Sequence, residues 1–220
     1  MRSVVFDLDG TLADTAADLI AAANACFREF GHDVVIDPVA DAHTAYRGGR
    51  ALLRLGYARL GIEDDGRADT GYPQFLKHYV AHDDAHARLY PGVVEAVERL
   101  RADGYATAVC TNKTEAMAVR LLKRLGVFEL FGAVIGADTL PTKKPDPAPY
   151  RAAVEQAGGL VARSYLLGDT ETDRATARAA GVPCALVTFG PDGEAVAGYD
   201  PDGLLASFDE LANLTRRLIG

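Results

Sequence analysis

The run VVFDLDGTLADT, residues 4–15, decides how the chain is read. Val4, Val5, Phe6 and Leu8 are apolar on both faces of an extended segment, which is the composition of a strand buried inside a parallel sheet. Asp7 and Asp9 sit at the end of that segment, one residue apart, and Gly10 and Thr11 follow at once. Like charges at the end of a buried strand repel each other, so a counter-charge has to come from elsewhere. Gly10 offers a tight turn that can swing Asp9 back toward the side on which Asp7 lies.

Further short apolar runs extend the pattern: Tyr105–Cys110, Ala133–Gly136, Tyr165–Gly168 and Cys184–Phe189. Helical spacing separates them. Val93, Val94, Val97 and Leu100 lead to Gly104, and Met117, Leu121, Leu122 and Leu125 lead to Gly126, each glycine at the place of a left-handed helix end. A helix is expected from Asp146, with Pro147 in its first turn, and another from about Asp173 to Ala180, stopping at Gly181. Strand and helix in alternation predict an α/β fold with a doubly wound, mostly parallel sheet.

Residues 16–84 break the alternation. Leu19, Ala23, Cys26, Phe27 and Phe30 share one helical face before Gly31; Ala51–Leu60 and Tyr72–His82 read as further helices, and EDDGRADTG at 63–71 is the most loop-like stretch. The expected organisation is a core formed by residues 1–15 and 85–220, with a helical cap inserted over 16–84. His78, His82 and His86 recur every fourth residue beside Asp83 and Asp84; a frayed, solvated helix end is expected there rather than a metal site.

Composition narrows the function. The chain has 220 residues, 49% hydrophobic, with 31 acidic against 23 basic side chains for a formal charge of −8. There is no Lys/Arg run to follow a nucleic acid backbone, so no nucleic acid partner is expected. Apolar stretches such as Leu19–Phe27 fall short of the roughly 20 residues that span a bilayer, so no membrane partner is expected either, and the expected location is cytoplasmic. Cys26, Cys110 and Cys184 are odd in number, far apart and set among apolar neighbours, as buried reduced thiols are.

In an open parallel sheet ligands collect beyond the carboxyl ends of the strands, where the winding reverses. The polar residues at those ends are Asp7 and Asp9, then Thr111 and Asn112, then Asp169, Glu171 and Asp173, with Lys143 and Lys144 in the loop before the Asp146 helix. Carboxylates converging from different strands call for a divalent cation, and ligation by oxygen alone favours Mg²⁺ over zinc. Metal, lysine and threonine together suit a phosphoryl group, with one aspartate as nucleophile and the other as proton carrier. Taken singly, Asp169, Asp173 and Thr111 also suit helix caps, and Lys143 and Lys144 a solvated pair.

These segments in this order resemble the four motifs of the haloacid dehalogenase superfamily: DLDGT at 7–11, CTNK at 110–113, KKPDPAPY at 143–150 and GDTETD at 168–173. Longer stretches, LYPGVVEAVERLRADGYATAVCTNKTEAMAVRLLKRLGV and LLGDTETDRATARAAGV, are similar to its phosphoglycolate phosphatase-like branch. The resemblance implies a Mg²⁺-dependent phosphomonoester hydrolase of a small phosphorylated metabolite, with phosphoglycolate foremost and a monomer or homodimer as its state. It implies Asp7 as nucleophile and metal ligand, and Asp9 as general acid/base with its main-chain carbonyl on the metal. Thr111 and the Asn112 backbone would hold phosphoryl oxygens, and Lys144, immediately before Pro145, would steady Asp7. Asp169 would complete the metal's ligands, with Asp173 acting through water or from behind them. Relatives carry a Gly-x-Gly near YRGGRALL, where Arg47 takes the place of the first glycine; Arg47 is the candidate for a substrate carboxylate, with Arg50 beside it. Pyrophosphate hydrolysis, sugar-phosphate phosphatase or mutase chemistry, and non-catalytic binding of a phosphometabolite are the alternatives on the same scaffold.

Overall fold

A computed structural model describes residues 1–33, 35–81 and 85–220. In chain order, β1 (Ser3–Phe6) is followed by β2 (Ala13–Asp14), then by α1 (Ala16–Glu29), α2 (Ala42–Ala45), α3 (Gly49–Arg59) and α4 (Arg67–Ala81), then by β3 (Arg88–Leu89). Next come α5 (Val93–Ala102), β4 (Ala106–Cys110), α6 (Glu115–Arg124), β5 (Ala133–Ile135), α7 (Pro147–Gln156), β6 (Ser164–Gly168), α8 (Glu171–Ala180), β7 (Cys184–Val187), β8 (Gly203–Leu205) and α9 (Leu211–Ile219). The chain forms two compact units, Met1–Ala13 with Leu89–Gly220, and Asp14–Arg88. The two passages between them, β2 and β3, pair as a short ribbon.

The first unit is built on a parallel sheet of order β5-β4-β1-β6-β7-β8. From β1 the chain steps outward through β4 to β5, then returns to β6 on the other side of β1 and steps outward again. The winding therefore reverses beside β1, and a crevice is expected at the carboxyl ends of β1, β4 and β6. β1 is buried at every position because strands flank it on both sides and helices cover both faces. Val5, Ala108, Cys110, Leu166, Cys184 and Leu186 form one core with Tyr150 and Val154 of α7 and Ala177 of α8. The polar tips of two buried tyrosines are satisfied inside the unit: Tyr150 Oη lies 2.6 Å from Ser164 Oγ, and Tyr165 Oη 2.8 Å from Thr215 Oγ1. The three cysteines are buried and free.

The helix ends follow the sequence signals. Asp146 caps α7 by accepting from the Ala148 N–H at 2.8 Å, with Pro147 as the first helical residue. Gly104, Gly126 and Gly181 all have φ between 75° and 80° just past the ends of α5, α6 and α8.

The second unit packs α1 against α3 and α4 around Leu19, Ala23, Phe27, Leu53, Phe75 and Tyr79. A Cβ on Gly56 would stand 2.1 Å from Phe27 Cζ, and one on Gly49 2.2 Å from Phe75 Cε1, so the small residues of α3 are what let the two rings lie against it. Asn24 on α1 fixes the following loop, its amide donating to Ile36 O at 2.8 Å and its carbonyl oxygen accepting from the Val35 and Ile36 N–H groups. Arg59 at the end of α3 grips both carboxylate oxygens of Asp41, at 2.5 and 2.6 Å.

One expectation is corrected here. EDDGRADTG reads as a loop through residue 71, whereas α4 already starts at Arg67. Gly66, at φ 81°, ends the loop; the Asp64 carboxylate then caps the helix by accepting from the Ala68 N–H at 2.8 Å. Pro73 stands near the middle of the helix, where it has no N–H to give to the preceding turn. Two of the four acidic groups of the stretch are ion-paired, Asp69 with Arg50 and Asp64 with Arg54. His82, Asp83 and Asp84 lie outside the described residues; His78 pairs with Glu29 at 2.7 Å, and the His86 N–H donates to Asp18.

Candidate active site

The end of β1 is held by the sheet one residue past its last paired position, the Asp7 N–H donating to Leu167 O at 2.8 Å. The chain then turns on itself: the Leu12 and Ala13 N–H groups both donate to Leu8 O at 3.0 Å, and the Gly10 N–H to Ala13 O at 2.9 Å. Gly10 takes φ 84°, a value that a side chain would strain, so the loop needs glycine there. Asp7 and Asp9 thus leave the same short loop, and each meets a different lysine.

Lys144, in the loop before α7, is 3% exposed and places its ammonium 2.7 Å from Asp7 Oδ1 and 2.7 Å from Asp173 Oδ1. Lys143, its neighbour, is exposed. Asp173 belongs to the first turn of α8, where Thr170 and Asp173 form a reciprocal capping box. Its Oδ2 accepts from the Thr170 hydroxyl at 2.7 Å and from the Thr170 and Asp169 N–H groups at 3.1 and 3.3 Å. Both oxygens of Asp173 are therefore occupied by protein donors. Gly168 makes room for this carboxylate: a Cβ there would lie 2.3 Å from Asp173 Cγ.

Asp169, fully buried, accepts from the Thr11 hydroxyl through Oδ1 at 3.1 Å, while its Oδ2 is buried with no hydrogen-bond partner among the described residues. Asp7, Asp169 and Asp173 each offer an oxygen within 4.8 Å of the other two. Three carboxylates thus crowd around one ammonium, and the electrostatics register the excess. Burial lifts Asp7 to about 6, against the pull of Lys144, and burial reinforced by Asp7 and Asp173 lifts Asp169 well above the usual carboxylate range. For Lys144 burial works the other way, but Asp173 and Asp7 outweigh it and raise the ammonium, which stays charged.

A divalent cation fits this donor set. The ligands are all oxygen, the negative charge exceeds the positive, and a buried carboxylate oxygen on Asp169 lacks any other partner. Asp7 and Asp169 are the side chains with capacity to spare.

The remaining candidates fall into place as follows. The Asp9 carboxylate is not in this group; both its oxygens accept from Lys113 Nζ at 2.9 Å. Thr111, buried at the end of β4, continues the ladder by donating its N–H to Ile135 O at 2.9 Å, and its hydroxyl oxygen accepts from the Lys113 N–H at 3.2 Å. That leaves the Thr111 hydroxyl proton to give to a ligand. The Asn112 side chain donates to Lys144 O at 3.1 Å, tying the lysine loop to the end of β4. Arg47 is exposed and belongs to the helical unit; among the described residues it has no ion-pair partner, whereas Arg50 pairs with Asp69 at 2.6 Å and stacks 3.6 Å over the Tyr72 ring.

Two residues of the site carry no role in the sequence reading. Thr11 lies within DLDGT and Lys113 within CTNK, and each holds one of the aspartates. Their signal was adjacency to the motifs; their partners lie more than a hundred residues away and are fixed only by the fold.

The sequence model of the haloacid dehalogenase-like hydrolases matches residues 4–187. A phosphoglycolate phosphatase of Cereibacter sphaeroides is 40% identical over the full length of both chains. One of Mesorhizobium japonicum is 37% identical, over 98% of this chain and 96% of its own. The crystal structure of a protein of Haemophilus somnus, described as a predicted phosphoglycolate phosphatase, superposes with a TM-score of 0.84 at 26% identity, covering 98% of each chain.

Proposed function

Since the chain belongs to the haloacid dehalogenase-like hydrolases, we propose that it is a Mg²⁺-dependent phosphatase of small phosphorylated metabolites, with 2-phosphoglycolate as substrate. The observation that carries the reading is the buried carboxylate group of Asp7, Asp169 and Asp173 beyond the carboxyl ends of β1 and β6, short of positive charge, with Thr111 at the end of the neighbouring β4. The substrate follows the similarity to phosphoglycolate phosphatases along the whole chain.

Asp7 and Asp169 would hold the metal, with the Asp9 main-chain carbonyl, while Asp173 holds Lys144 from behind. When bound, Mg²⁺ supplies positive charge for the carboxylates and for the phosphoryl oxygens. Thr111 and the Asn112 backbone orient the phosphoryl group, and Lys144 fixes the direction of Asp7. An Asp7 oxygen attacks phosphorus, the phosphorus–ester oxygen bond breaks, and Asp9 gives its proton to the departing glycolate oxygen. Asp9 then takes a proton from water, whose oxygen attacks the aspartyl-phosphate; phosphate leaves and the Asp7 carboxylate returns.

In this reading residues 1–15 with 85–220 are the catalytic core and 16–84 the cap that reads the substrate. Arg47 is the candidate for the glycolate carboxylate, Arg50 being committed to Asp69 and Tyr72. No helix among the described residues is long and apolar enough to cross a membrane, and we place the enzyme in the cytoplasm.

Asp7→Asn tests the chemistry. Release of inorganic phosphate from 2-phosphoglycolate in Mg²⁺ should fall by at least about 10³-fold with the circular dichroism spectrum unchanged; near-normal metal-dependent turnover would show that no aspartyl-phosphate forms. A panel of phosphorylated metabolites, with and without EDTA, tests the substrate, and equal rates on long sugar phosphates and on 2-phosphoglycolate would overturn that choice.

A further inference from the structure

The turn Thr111–Asn112–Lys113 at the end of β4 reaches both catalytic aspartates without supplying either of them. Asn112 holds the main chain of Lys144, whose ammonium holds Asp7. Lys113 itself reaches across to Asp9, and its ammonium lies at the same 2.9 Å from each carboxylate oxygen. The lysine side chain is 4% exposed and the aspartate side chain 15%, so the contact is sheltered and has little of the looseness of a surface ion pair.

The backbone of Lys113 is held on both sides of its Cα. Its N–H donates to Thr111 Oγ1 at 3.2 Å, and its carbonyl accepts from the Ala137 N–H at 2.9 Å. The position of the ammonium is thereby tied to that of the Thr111 hydroxyl, two residues away. An ammonium that meets both oxygens of a carboxylate restricts rotation of that group, because any rotation lengthens one contact. Asp9 leaves a loop that turns on Gly10, and an ammonium held against both of its oxygens limits the swing of its carboxylate there.

We infer that Lys113 is a positioning residue: it sets the direction of the Asp9 carboxylate relative to the phosphoryl site at Thr111, and through Asp9 it governs both proton transfers. The inference rests on the reading of Asp9 as acid and base. It requires one Lys113 contact to yield as each proton moves, while the other keeps the carboxylate in place.

The test is a double-mutant cycle on the full chain with Lys113→Met, Asp9→Asn and the pair, followed by phosphate release from 2-phosphoglycolate in Mg²⁺, with enzyme in excess where turnover is slow. Lys113→Met should lower kcat by about 10- to 100-fold with KM within about threefold, and in the Asp9→Asn background the same change should cost less than about twofold. Lys113→Arg, which keeps the charge, should recover part of the loss. Equal losses in the two backgrounds, a kcat within twofold of the parent, or a rise in KM at constant kcat would each overturn the inference, the last by making Lys113 a substrate contact. Thermal melts of all variants separate these outcomes from misfolding, and Lys113→Gln replaces Lys113→Met should the latter not fold. Failure of the parent chain to hydrolyse 2-phosphoglycolate, or full activity of Asp9→Asn, would sink the underlying reading instead.

Discussion

Asp169→Asn should make the metal-free protein more stable and the metal-loaded protein comparatively less so. Without a cation, the site holds the carboxylates of Asp7, Asp169 and Asp173 against the single ammonium of Lys144, and Asp169 Oδ2 is buried without a partner. Asparagine has the same shape; its carbonyl oxygen can keep the Thr11 bond, and the side chain no longer carries a charge. Removing an uncompensated buried charge is worth about 1–3 kcal/mol, by analogy with replacements of buried ionic groups. For a chain of this size that raises the melting temperature in EDTA by roughly 2–12 °C.

Mg²⁺ reverses the order. At a hundred times its dissociation constant a ligand of the folded state adds about 2.7 kcal/mol, or roughly 5–11 °C, to the parent. The variant, having lost the ligand with spare capacity, should gain less than about 2 °C. The pH dependence has a defined sign. A carboxyl whose folded pKa is raised imposes its full penalty above that value and is relieved as pH falls through it. Asp7 stands at about 6 and Asp169 is also raised, so in EDTA the parent should become more stable between neutral pH and pH 5, and Asp169→Asn should gain less. Scanning fluorimetry of both proteins in EDTA and in Mg²⁺ gives the four melting temperatures required. A variant that melts below its parent in EDTA, or that keeps the parent's Mg²⁺ shift, would refute the assignment of Asp169 as the under-compensated metal ligand.

Other outcomes follow from the same geometry. Gly168→Ala would put a methyl 2.3 Å from Asp173 Cγ, displacing the carboxylate that anchors Lys144; a loss of about 1–3 kcal/mol in urea unfolding and at least about tenfold in kcat are expected, and a variant matching the parent in both would show that the loop gives way without cost. In the helical unit, the hydrogen-bonded Arg59 guanidinium, together with the Asp37 N–H, outweighs burial and holds Asp41 below the usual carboxylate range. Its stabilisation is present in full above about pH 4 and is lost as pH falls through the lowered value. Asp41→Asn should therefore cost about 1–2 kcal/mol at pH 7, allowing for the partial exposure of Arg59, with the difference from the parent narrowing as the pH falls below the ordinary carboxylate range; a gap independent of pH would mean that the charge contributes nothing.

Much of the sheet was legible because buried parallel strands have to be apolar throughout. Val4–Phe6, Ala106–Cys110 and Cys184–Val187 show up as short runs of Val, Ala, Leu and Phe with polar residues massed at their carboxyl ends, which is where the site lies. Asp7, Thr111 and Asp169 could be named for that reason, whereas the choice of Lys144 over Lys143 comes from the family resemblance, in which the lysine immediately precedes Pro145. β8 and α9 are missing from the sequence expectations for different reasons. β8 is three residues long and opens on a glycine, whereas Leu211, Leu214 and Leu218 carry a helical spacing that could have been read. The start of α4 was hidden because its cap, Asp64, lies in an acidic stretch whose charges look solvated until their arginine partners are known. Lys113 was illegible in kind. A lysine after Thr-Asn in a turn has the composition of a surface residue, and only the pairing of β1 with β4 brings Asp9 within its reach.

That pairing also bears on how the protein is made. β1 leaves the ribosome well before its two neighbours, β4 and β6, which begin at residues 106 and 164. An apolar strand must wait with both edges unsatisfied until β4 is made and with one until β6 is, the circumstance in which nascent chains stick to one another. The two negative charges at its end are already present during that wait. Before any cation or substrate arrives, they can act as gatekeepers, making it costly for two copies of the same strand to align.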